Sequence, residues 1–436
     1  MEKQMRATLW RLNLILATWA LGLETVSAEQ SKTGLSIQVS HYDRTFSNPQ
    51  NNRTQTGLGA ILRHTHSLWG KLLTINGAAY HVQKLATNGR IQEDLLTVDG
   101  NQLAGFSLLG EASLKLQPTQ NFSIEVGRTQ HDSLLLKSKT RLLPSTFEGV
   151  NLSWQIGKNL TLYAHRFTKW SARANSEFVR FDTELSRSGA INNLVIAGID
   201  SNFRIFKSTS INLNSEYFEA KNYLRKTALR ARLKQNLENH RSIEFEAAIL
   251  SSNDSGALFV DGANCSLDRS GLNASNQRLG HNGWGTYLEG TYRVGKHSFS
   301  IAVTKIGEPW LEDSFAGDHG TTPFPTATFG PELTNQNETV WLTDYKFSLT
   351  SGVLTGLSTK LAYASGSNIE NSISSDLGTA EERWWYAELR YQSPWIKGLE
   401  ARARFRDYKS NIIGEVAGVA SDRNEIRLDL RYKKTF

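Results

Sequence analysis

The sequence predicts an all-β protein, a transmembrane antiparallel β-barrel with short periplasmic turns and long extracellular loops. Three observations predict this fold class. Short segments alternate apolar and polar residues, the N-terminus has the order of an export signal, and the face opposite the apolar one is polar rather than a second core. Aromatic residues lie on the apolar phase, as the interfacial girdles of a barrel require: Trp154, Trp341, Trp385 and Tyr391.

Residues 1–28 are predicted to be a cleaved signal peptide. Three basic residues precede an apolar stretch from Leu12 to Leu23, and a Val-Ser-Ala sequence ends at Ala28. This stretch is too short to cross about 30 Å of hydrocarbon as a helix, which disfavours the alternative, an N-terminal membrane anchor. We therefore expect residues 29–436 to form one exported barrel domain in the outer membrane of a Gram-negative cell.

Short polar turns separate the alternating segments, and we predict three of them at 117–120, 157–159 and 295–297. A period of two with one apolar face also fits a half-buried soluble sheet, so periodicity alone leaves a sandwich or a propeller open. Beyond residue 28 we find no apolar run of about 18 residues, so a chain that spans a membrane must do so as a closed barrel.

The formal net charge is +7, and the chain has one cysteine, Cys265. A basic balance can indicate nucleic-acid binding, but here the basic residues alternate with apolar ones inside predicted strands and so share one face of the sheet. We find no nucleic-acid, phosphate-binding or metal-ligand motif and expect no cofactor and no nucleic-acid partner. One cysteine forms no intramolecular disulfide, and we expect Cys265 to be an inert loop thiol.

The last segment is predicted to be an amphipathic strand that ends on Phe436. One phase is apolar, while Arg427, Asp429, Arg431 and Lys433 share the other. An aromatic C-terminus on such a strand resembles the signal by which the barrel-assembly machinery recognises outer-membrane barrels. The alternative is an ordinary edge strand.

Chain length limits the number of strands. About 408 mature residues, at roughly 22 to 24 residues per strand with its turn and loop, give 16 to 18 strands. A barrel of that size is wide enough to hold water.

Several stretches resemble the OprD family of substrate-selective outer-membrane porins. The clearest is Arg141–Gly149, which is similar to the family's Arg-Leu-Leu-Pro-Gln-Thr-Phe segment in its constricting loop. Other similar stretches follow in the family's order: Leu35–Phe46, Gly57–Leu85, Ala316–Gly320 with Phe329–Pro331, and Gly398 to the end. The stretch from Ile191 to Asn273 does not align. The resemblance implies an 18-stranded monomeric channel whose constriction loop lies at 127–149.

Charged and apolar residues alternate in Leu399–Arg406, so Arg402, Arg404 and Arg406 are predicted to point into the lumen about 6.6 to 7 Å apart. Three more arginines are predicted to share that face: Arg390, Arg427 and Arg431. We call these six residues the arginine ladder. The family's basic ladder maps onto Arg402, Arg404 and Arg427.

The ladder has a second interpretation, in which the arginines only keep the lumen hydrated and are balanced by Glu400 and Asp429. The facing of Arg63, on the first strands, stays open. The resemblance also implies that Arg141 and Asp318 lie on inward-folded loops and form part of the constriction. The alternative for this pair is an ion pair that stabilises the loops without contacting solute.

Together these features predict a porin for passive, moderately selective diffusion of small anionic or zwitterionic solutes, such as amino acids, peptides or organic acids, into the periplasm. We expect a monomer surrounded by outer-membrane lipids. One alternative is a closed structural or adhesin barrel. Another is a barrel enzyme that uses His131-Asp132-Ser133, which is disfavoured because three adjacent residues do not form a catalytic relay without special folding.

Overall fold

The computed structural model describes residues 31–183, 191–262, 281–308, 310–311, 313–318, 323–328, 332–370, 378–412 and 422–436. Within these ranges the regular secondary structure is almost entirely β-sheet. The predicted signal peptide, residues 1–28, and Cys265 lie outside the described residues. No helix in the described ranges is long and apolar enough to cross a membrane.

The described part of the chain contains 18 strands that form one barrel and a separate small hairpin, β4–β5. The strands are β1 (Ser31–Phe46), β2 (Arg53–Leu68), β3 (Leu73–Gly89), β4 (Thr97–Asp99), β5 (Gln102–Ala104), β6 (Phe106–Thr119), β7 (Phe122–Thr129), β8 (Thr146–Ile156), β9 (Leu160–Ser171), β10 (Leu194–Phe206), β11 (Thr209–Ala220), β12 (Leu224–Leu237), β13 (Arg241–Asp254), β14 (Asn282–Val294), β15 (His297–Ile306), β16 (Thr339–Ser348), β17 (Leu357–Glu370), β18 (Thr379–Gln392), β19 (Leu399–Ser410) and β20 (Arg423–Thr435). The helical segments among these residues are short: α1 (Ala257–Gly262) and 3-10 turns at Pro49–Asn51, Trp69–Lys71 and Pro325–Thr328.

The sheet closes on itself through its first and last strands. β1 is antiparallel to both β2 and β20, with Val39 opposite Leu58 on one side and Leu430 on the other. A closed sheet pairs its backbone groups between strands and leaves no edge in contact with lipid. The predicted barrel is confirmed, and the described residues supply 18 strands, within the range that chain length predicts.

The outer face of the barrel is apolar. Large side chains at alternate strand positions point outward and are exposed, for example Leu114 and Ile249. The predicted aromatic residues Trp154, Trp341 and Trp385 lie on this face, and each is more than half exposed. An exposed apolar band with aromatic residues matches the hydrocarbon and interfaces of a membrane.

Short turns connect the strands at one end of the barrel, and the predicted turn at 157–159 is confirmed between β8 and β9. The turn after β14 is shorter than predicted, because His297 already belongs to β15. The turn predicted at 117–120 lies further along, because β6 continues to Thr119. A register shift between β6 and β7 surrounds Pro118, and a bulge tolerates a residue that has no N–H.

Longer connections at the other end fold into the barrel, as predicted, and create its buried apolar contacts. Leu135 and Phe315 from two such loops pack against the inner wall formed by β9 to β15. Leu95 and Leu142, from two loops, pack against inward residues of β1, β3 and β6. The core of the molecule therefore lies inside the lumen, between loops and wall.

Candidate functional site

The arginine ladder occupies adjacent positions on three neighbouring strands. β19 lies between β18 and β20, and the register sets Arg402 opposite Arg390 on one side and Asp429 on the other. Arg404, two residues further along β19, lies opposite Arg427 on β20. Alternate residues of a strand share a face, so these side chains lie together on the lumen side.

Each ladder arginine has a polar partner on the wall. Arg402 pairs with Glu388, Arg404 with Asp429, Arg390 with Glu400 at 2.5 Å, Arg406 with Glu425 at 2.8 Å, Arg427 with Asp429 at 3.1 Å, and Arg431 donates to the Gln38 side chain at 2.8 Å. These bonds orient the guanidinium groups. The side chains of Arg390 and Arg402 remain 40% and 34% exposed, against 14% for Arg427. The ladder is thus open to water near the turns and more buried beneath the loops.

The loop between β7 and β8, residues 130–145, lies within the segment predicted as the constriction loop and is held at one end by Glu216 on β11. The Glu216 carboxylate accepts the N–H groups of Leu134 and Leu135 at 3.1 and 2.7 Å. It also accepts the hydroxyls of Ser133 at 2.8 Å and Tyr163 at 2.7 Å. Glu216 is 2% exposed, and these four donors satisfy the buried carboxylate.

The other end of the β7–β8 loop is held on the opposite wall. The carbonyl oxygen of Arg141 accepts hydrogen bonds from Gln38 on β1 at 2.9 Å and from Arg427 on β20 at 3.0 Å. Around the barrel, β11 lies on the wall opposite the β1–β20 pair, halfway round the order of strands. The loop therefore crosses the lumen.

Two glycines of β2 allow this loop to lie against the wall. A Cβ on Gly57 would lie 2.7 Å from Cδ1 of Leu142, and one on Gly59 would lie 3.1 Å from Cβ and 3.2 Å from the carbonyl oxygen of Leu142. Glycine within a strand commonly marks such close approach of another backbone. Gly57 and Gly59 therefore have a packing role.

The Arg141 side chain joins a buried ionic cluster around Asp94, on the loop between β3 and β6. Asp94 binds Arg53 at 2.6 Å and Arg44 at 3.4 Å, and it pairs with Arg141. Burial alone would raise the pKa of the Asp94 carboxyl, but the charges of Arg141, Arg44 and Arg53 outweigh burial and hold the pKa below its usual range. The Arg141 guanidinium also lies 4.9 Å from the ring centroid of Tyr42.

Two polar cavities flank the crossing loop. The first, which we call the loop-side cavity, has a volume of about 610 Å³ and is lined by residues that include Arg141, Arg404 and Arg406. The second has a volume of about 770 Å³ and lies toward β9 to β12. Lys139, Thr140 and Ala327 line both cavities and so form the boundary between them.

Asp318 lies on the connection between β15 and β16 and is 4% exposed. Its carboxylate accepts the Ser314 N–H at 3.0 Å. Burial raises the pKa of the Asp318 carboxyl, while the charge of Lys226 acts in the opposite direction. As far as the described residues define the two cavities, Asp318 lines neither. Its role at the constriction stays a prediction.

The His131-Asp132-Ser133 sequence has its three side chains in different contacts. The His131 ring packs 4.6 Å from that of His165 between centroids. Asp132 binds Lys137 at 2.8 Å, and Ser133 donates to Glu216. Arg63, whose facing the sequence leaves open, points into the lumen and binds Glu111 at 2.5 Å.

The two carboxylates that hold the loops, Glu216 and Asp94, were not predicted from the sequence. Glu216 lies in the stretch that does not align with the family, and strand alternation indicates only its inward facing, which it shares with Asn214 and Phe218. Asp94 lies in a loop, where no periodicity indicates direction. Contact with a segment far away in the chain leaves no local sequence pattern, so neither carboxylate could be recognised as a loop anchor from the sequence.

A family model described as outer membrane porin, OprD family, matches residues 74–436. The fold is similar to that of OpdK from Pseudomonas aeruginosa, solved with vanillate, at a TM-score of 0.77 and 20% identity over 94% of this chain and 99% of that one. It is also similar to OccAB1 from Acinetobacter baumannii, with a TM-score of 0.78 and 18% identity over 94% of this chain and 97% of that one. A third similar structure is OccK9 (OpdG) from Pseudomonas aeruginosa, with a TM-score of 0.78 and 20% identity over 94% of this chain and 99% of that one. No curated protein sequence matches the chain significantly.

The family match includes nearly all of the barrel, from β3 to β20. The closed sheet with its apolar outer face agrees with that assignment, and the solved structures share the same architecture over almost their full length. The protein is therefore located in the outer membrane, in contact with its lipids, with an interior through which small solutes can pass. The chain belongs to the OprD family of outer membrane porins.

Proposed function

We propose that this protein is a passive, moderately selective channel through which small carboxylate-bearing solutes diffuse along the arginine ladder into the periplasm. The register of β18, β19 and β20 carries the proposal, because it makes the ladder continuous across three strands. Neighbouring guanidinium groups about 7 Å apart along a strand lie within one Debye length of about 8 Å. Each contact in water should contribute about 1 kcal/mol, weak enough for release.

Arg141 is proposed to meet the solute at the constriction, since it lines the loop-side cavity. The same role for Asp318 rests on the family resemblance alone. Three further properties are proposed. The assembly machinery recognises the strand that ends at Phe436, the protein is a monomer, and it is exported through the signal peptide of residues 1–28.

The ladder is tested by changing Arg402 and Arg404 together to Gln. Glutamine keeps hydrogen-bonding polarity but removes two positive charges and leaves Glu388 and Asp429 less compensated. Uptake of butyrate into proteoliposomes should fall several-fold to tens-fold on the basis of about 1 kcal/mol per contact. Uptake of arabinose, which is neutral, should change little. The difference should shrink at about 1 M salt, where the Debye length is about 3 Å.

Arg225→Gln is the matched control, because Arg225 is exposed and alternates with the buried, inward residues of β12. Equal loss of butyrate and arabinose uptake in the ladder variant would mean a distorted pore. Unchanged uptake of both solutes would mean that the arginines only keep the lumen hydrated and do not guide carboxylates.

Two other functions predict different behaviour. A closed structural or adhesin barrel would show no single-channel conductance in a planar bilayer. A barrel enzyme would need a relay, whereas His131, Asp132 and Ser133 contact separate partners. We therefore propose that the protein is not an enzyme.

A further inference from the structure

The loop-side cavity has an excess of positive charge. Among the described residues, ten basic side chains and three carboxylates, including Glu425, line it. Two further carboxylates, Asp94 and Asp429, pair with arginines of the lining. When these five acids are set against the ten bases, five positive charges remain among the described residues.

The excess arises because the carboxylates are shared. Glu425 lies 2.8 Å from Arg406 and 3.0 Å from Arg44. Asp94 is shared by Arg44, Arg53 and Arg141. One carboxylate carries one negative charge, so these four arginines, which share the two acids, keep a net positive charge.

Arg173 and Lys139 add to the excess from the loops that border the cavity. Within the described ranges neither forms an ion pair with a carboxylate, and the buried Nε of Arg173 has no hydrogen-bond partner there. Burial, followed by the charge of Arg141, lowers the pKa of the Arg173 guanidinium, while the charge of Asp94 acts in the opposite direction. Arg173 therefore adds a cation to a cavity that Arg141 also lines.

The excess is not a general property of the cavities in the lumen. A cavity of about 440 Å³ near the turns of β12 to β17, the turn-side cavity, is lined among the described residues by five bases and four carboxylates, including Glu244 and Glu289. Its ion pairs are correspondingly balanced, as between Arg293 and Glu244 at 2.8 Å. General hydration of the lumen would not produce this difference between the two cavities.

We propose that the loop-side cavity is a docking site for a small dicarboxylate on a short carbon chain, which binds there before it enters the ladder. The inference rests on the proposed function and narrows its solute class. Arg404 and Arg406 stand about 7 Å apart on the wall, and Arg141 and Arg173 border the same space from the loops. Once one carboxylate is bound, the second is held close to the other cations at high effective concentration. A monocarboxylate has no such second contact.

The test compares block of single-channel chloride current by succinate and by butyrate, which has the same carbon chain length and one carboxylate, in planar bilayers at low salt. Succinate should half-block the wild-type channel at a concentration about tenfold below that of butyrate, on the basis of one added screened contact or more. Arg173→Gln should raise the half-blocking concentration of succinate about fivefold and that of butyrate less than twofold. Lys139→Gln is a second, independent variant with the same expectation, and Arg225→Gln is the control that should change neither.

Equal block by succinate and butyrate in the wild type overturns the dicarboxylate site while leaving the carboxylate channel intact. Equal shifts in Arg173→Gln, Lys139→Gln and the Arg225→Gln control also overturn it. A channel that conducts but is blocked by neither acid, and admits arabinose as fast as butyrate, contradicts the proposed function itself. Retained heat-modifiable migration of each variant establishes that its barrel is folded.

Discussion

Single buried carboxylates position the cationic side chains of this channel. Asp94 is 2% exposed and lies among three arginines, two on the barrel wall and one on the crossing loop. Removing one member of such a buried cluster leaves like charges together without compensation, which typically costs about 3 to 5 kcal/mol. Asp94 therefore stabilises the loops through its ion pairs with these arginines.

Asp94→Asn should lower the free energy of unfolding by about 3 kcal/mol, because it removes the charge that holds Arg44, Arg53 and Arg141 together. Denaturant unfolding in detergent, monitored by tryptophan fluorescence, measures the change. Asp99→Asn, an exposed substitution on the same loop, is the control and should be nearly neutral. Equal stability of the two variants would contradict the role assigned to the cluster.

The lowered pKa of the Asp94 carboxyl gives a pH dependence with a definite sign. A carboxyl whose folded pKa lies below the unfolded value of about 3.9 contributes its stability above that value and loses it as the pH falls through the folded pKa. The difference in unfolding free energy between wild type and Asp94→Asn should therefore stay constant from about pH 7 to pH 5 and shrink only below about pH 4. A difference that disappears by pH 6 would exclude this assignment.

At the scale of elements, β2 is adapted to the loop that it supports. Gly59 lies against the backbone of Leu142, so a larger residue must push the crossing loop away from the wall. Valine favours strands, and a loss caused by Gly59→Val would therefore come from the loop contact and not from the strand itself.

Gly59→Val should destabilise the protein by about 1 to 3 kcal/mol through overpacking and should raise single-channel conductance as the loop is displaced. Gly34→Ala is the matched control on β1, because its Cβ would meet only a carbonyl oxygen at 3.9 Å. If Gly59→Val conducts like the wild type, the loop does not restrict the channel at this wall.

The sequence predicts a structural feature correctly where that feature depends on neighbouring residues in the chain. Alternation along β20 correctly sets Arg427 inward and Leu428 outward, because side-chain direction reverses at every residue of a strand. The turn near Pro118 is displaced because a bulge depends on pairing with β7. Glu216 contacts a loop about 80 positions away in the chain, and no neighbouring residue in the sequence indicates that contact.

For the whole molecule, charge is distributed unevenly within the lumen. The loop-side cavity retains an excess of positive charge, whereas the turn-side cavity is nearly balanced. Anions therefore meet a stronger attractive potential in the loop-side cavity than in the turn-side cavity.

This asymmetry should make the current depend on the sign of the applied voltage. At about 0.1 M salt we expect currents at equal and opposite voltages to differ by about twofold, and at about 1 M salt, with a Debye length of about 3 Å, they should become nearly equal. Current–voltage curves of single channels measure the ratio, and Arg173→Gln should reduce it. A linear curve at low salt would show that the excess charge is screened or neutralised.

The two anchors of the crossing loop also have a consequence for the order of events during folding. Arg141 is bound by Gln38 on the first strand and Arg427 on the last, while Glu216 belongs to a strand near the middle of the barrel. All three wall segments must be in position before the loop can bind both sides, and contacts between segments far apart in the chain form slowly. The contact from Arg427 on the last strand can form only once β20 has reached β1, so the full set of loop contacts requires a closed barrel. We therefore expect the narrow passage to be completed together with barrel closure, late in assembly.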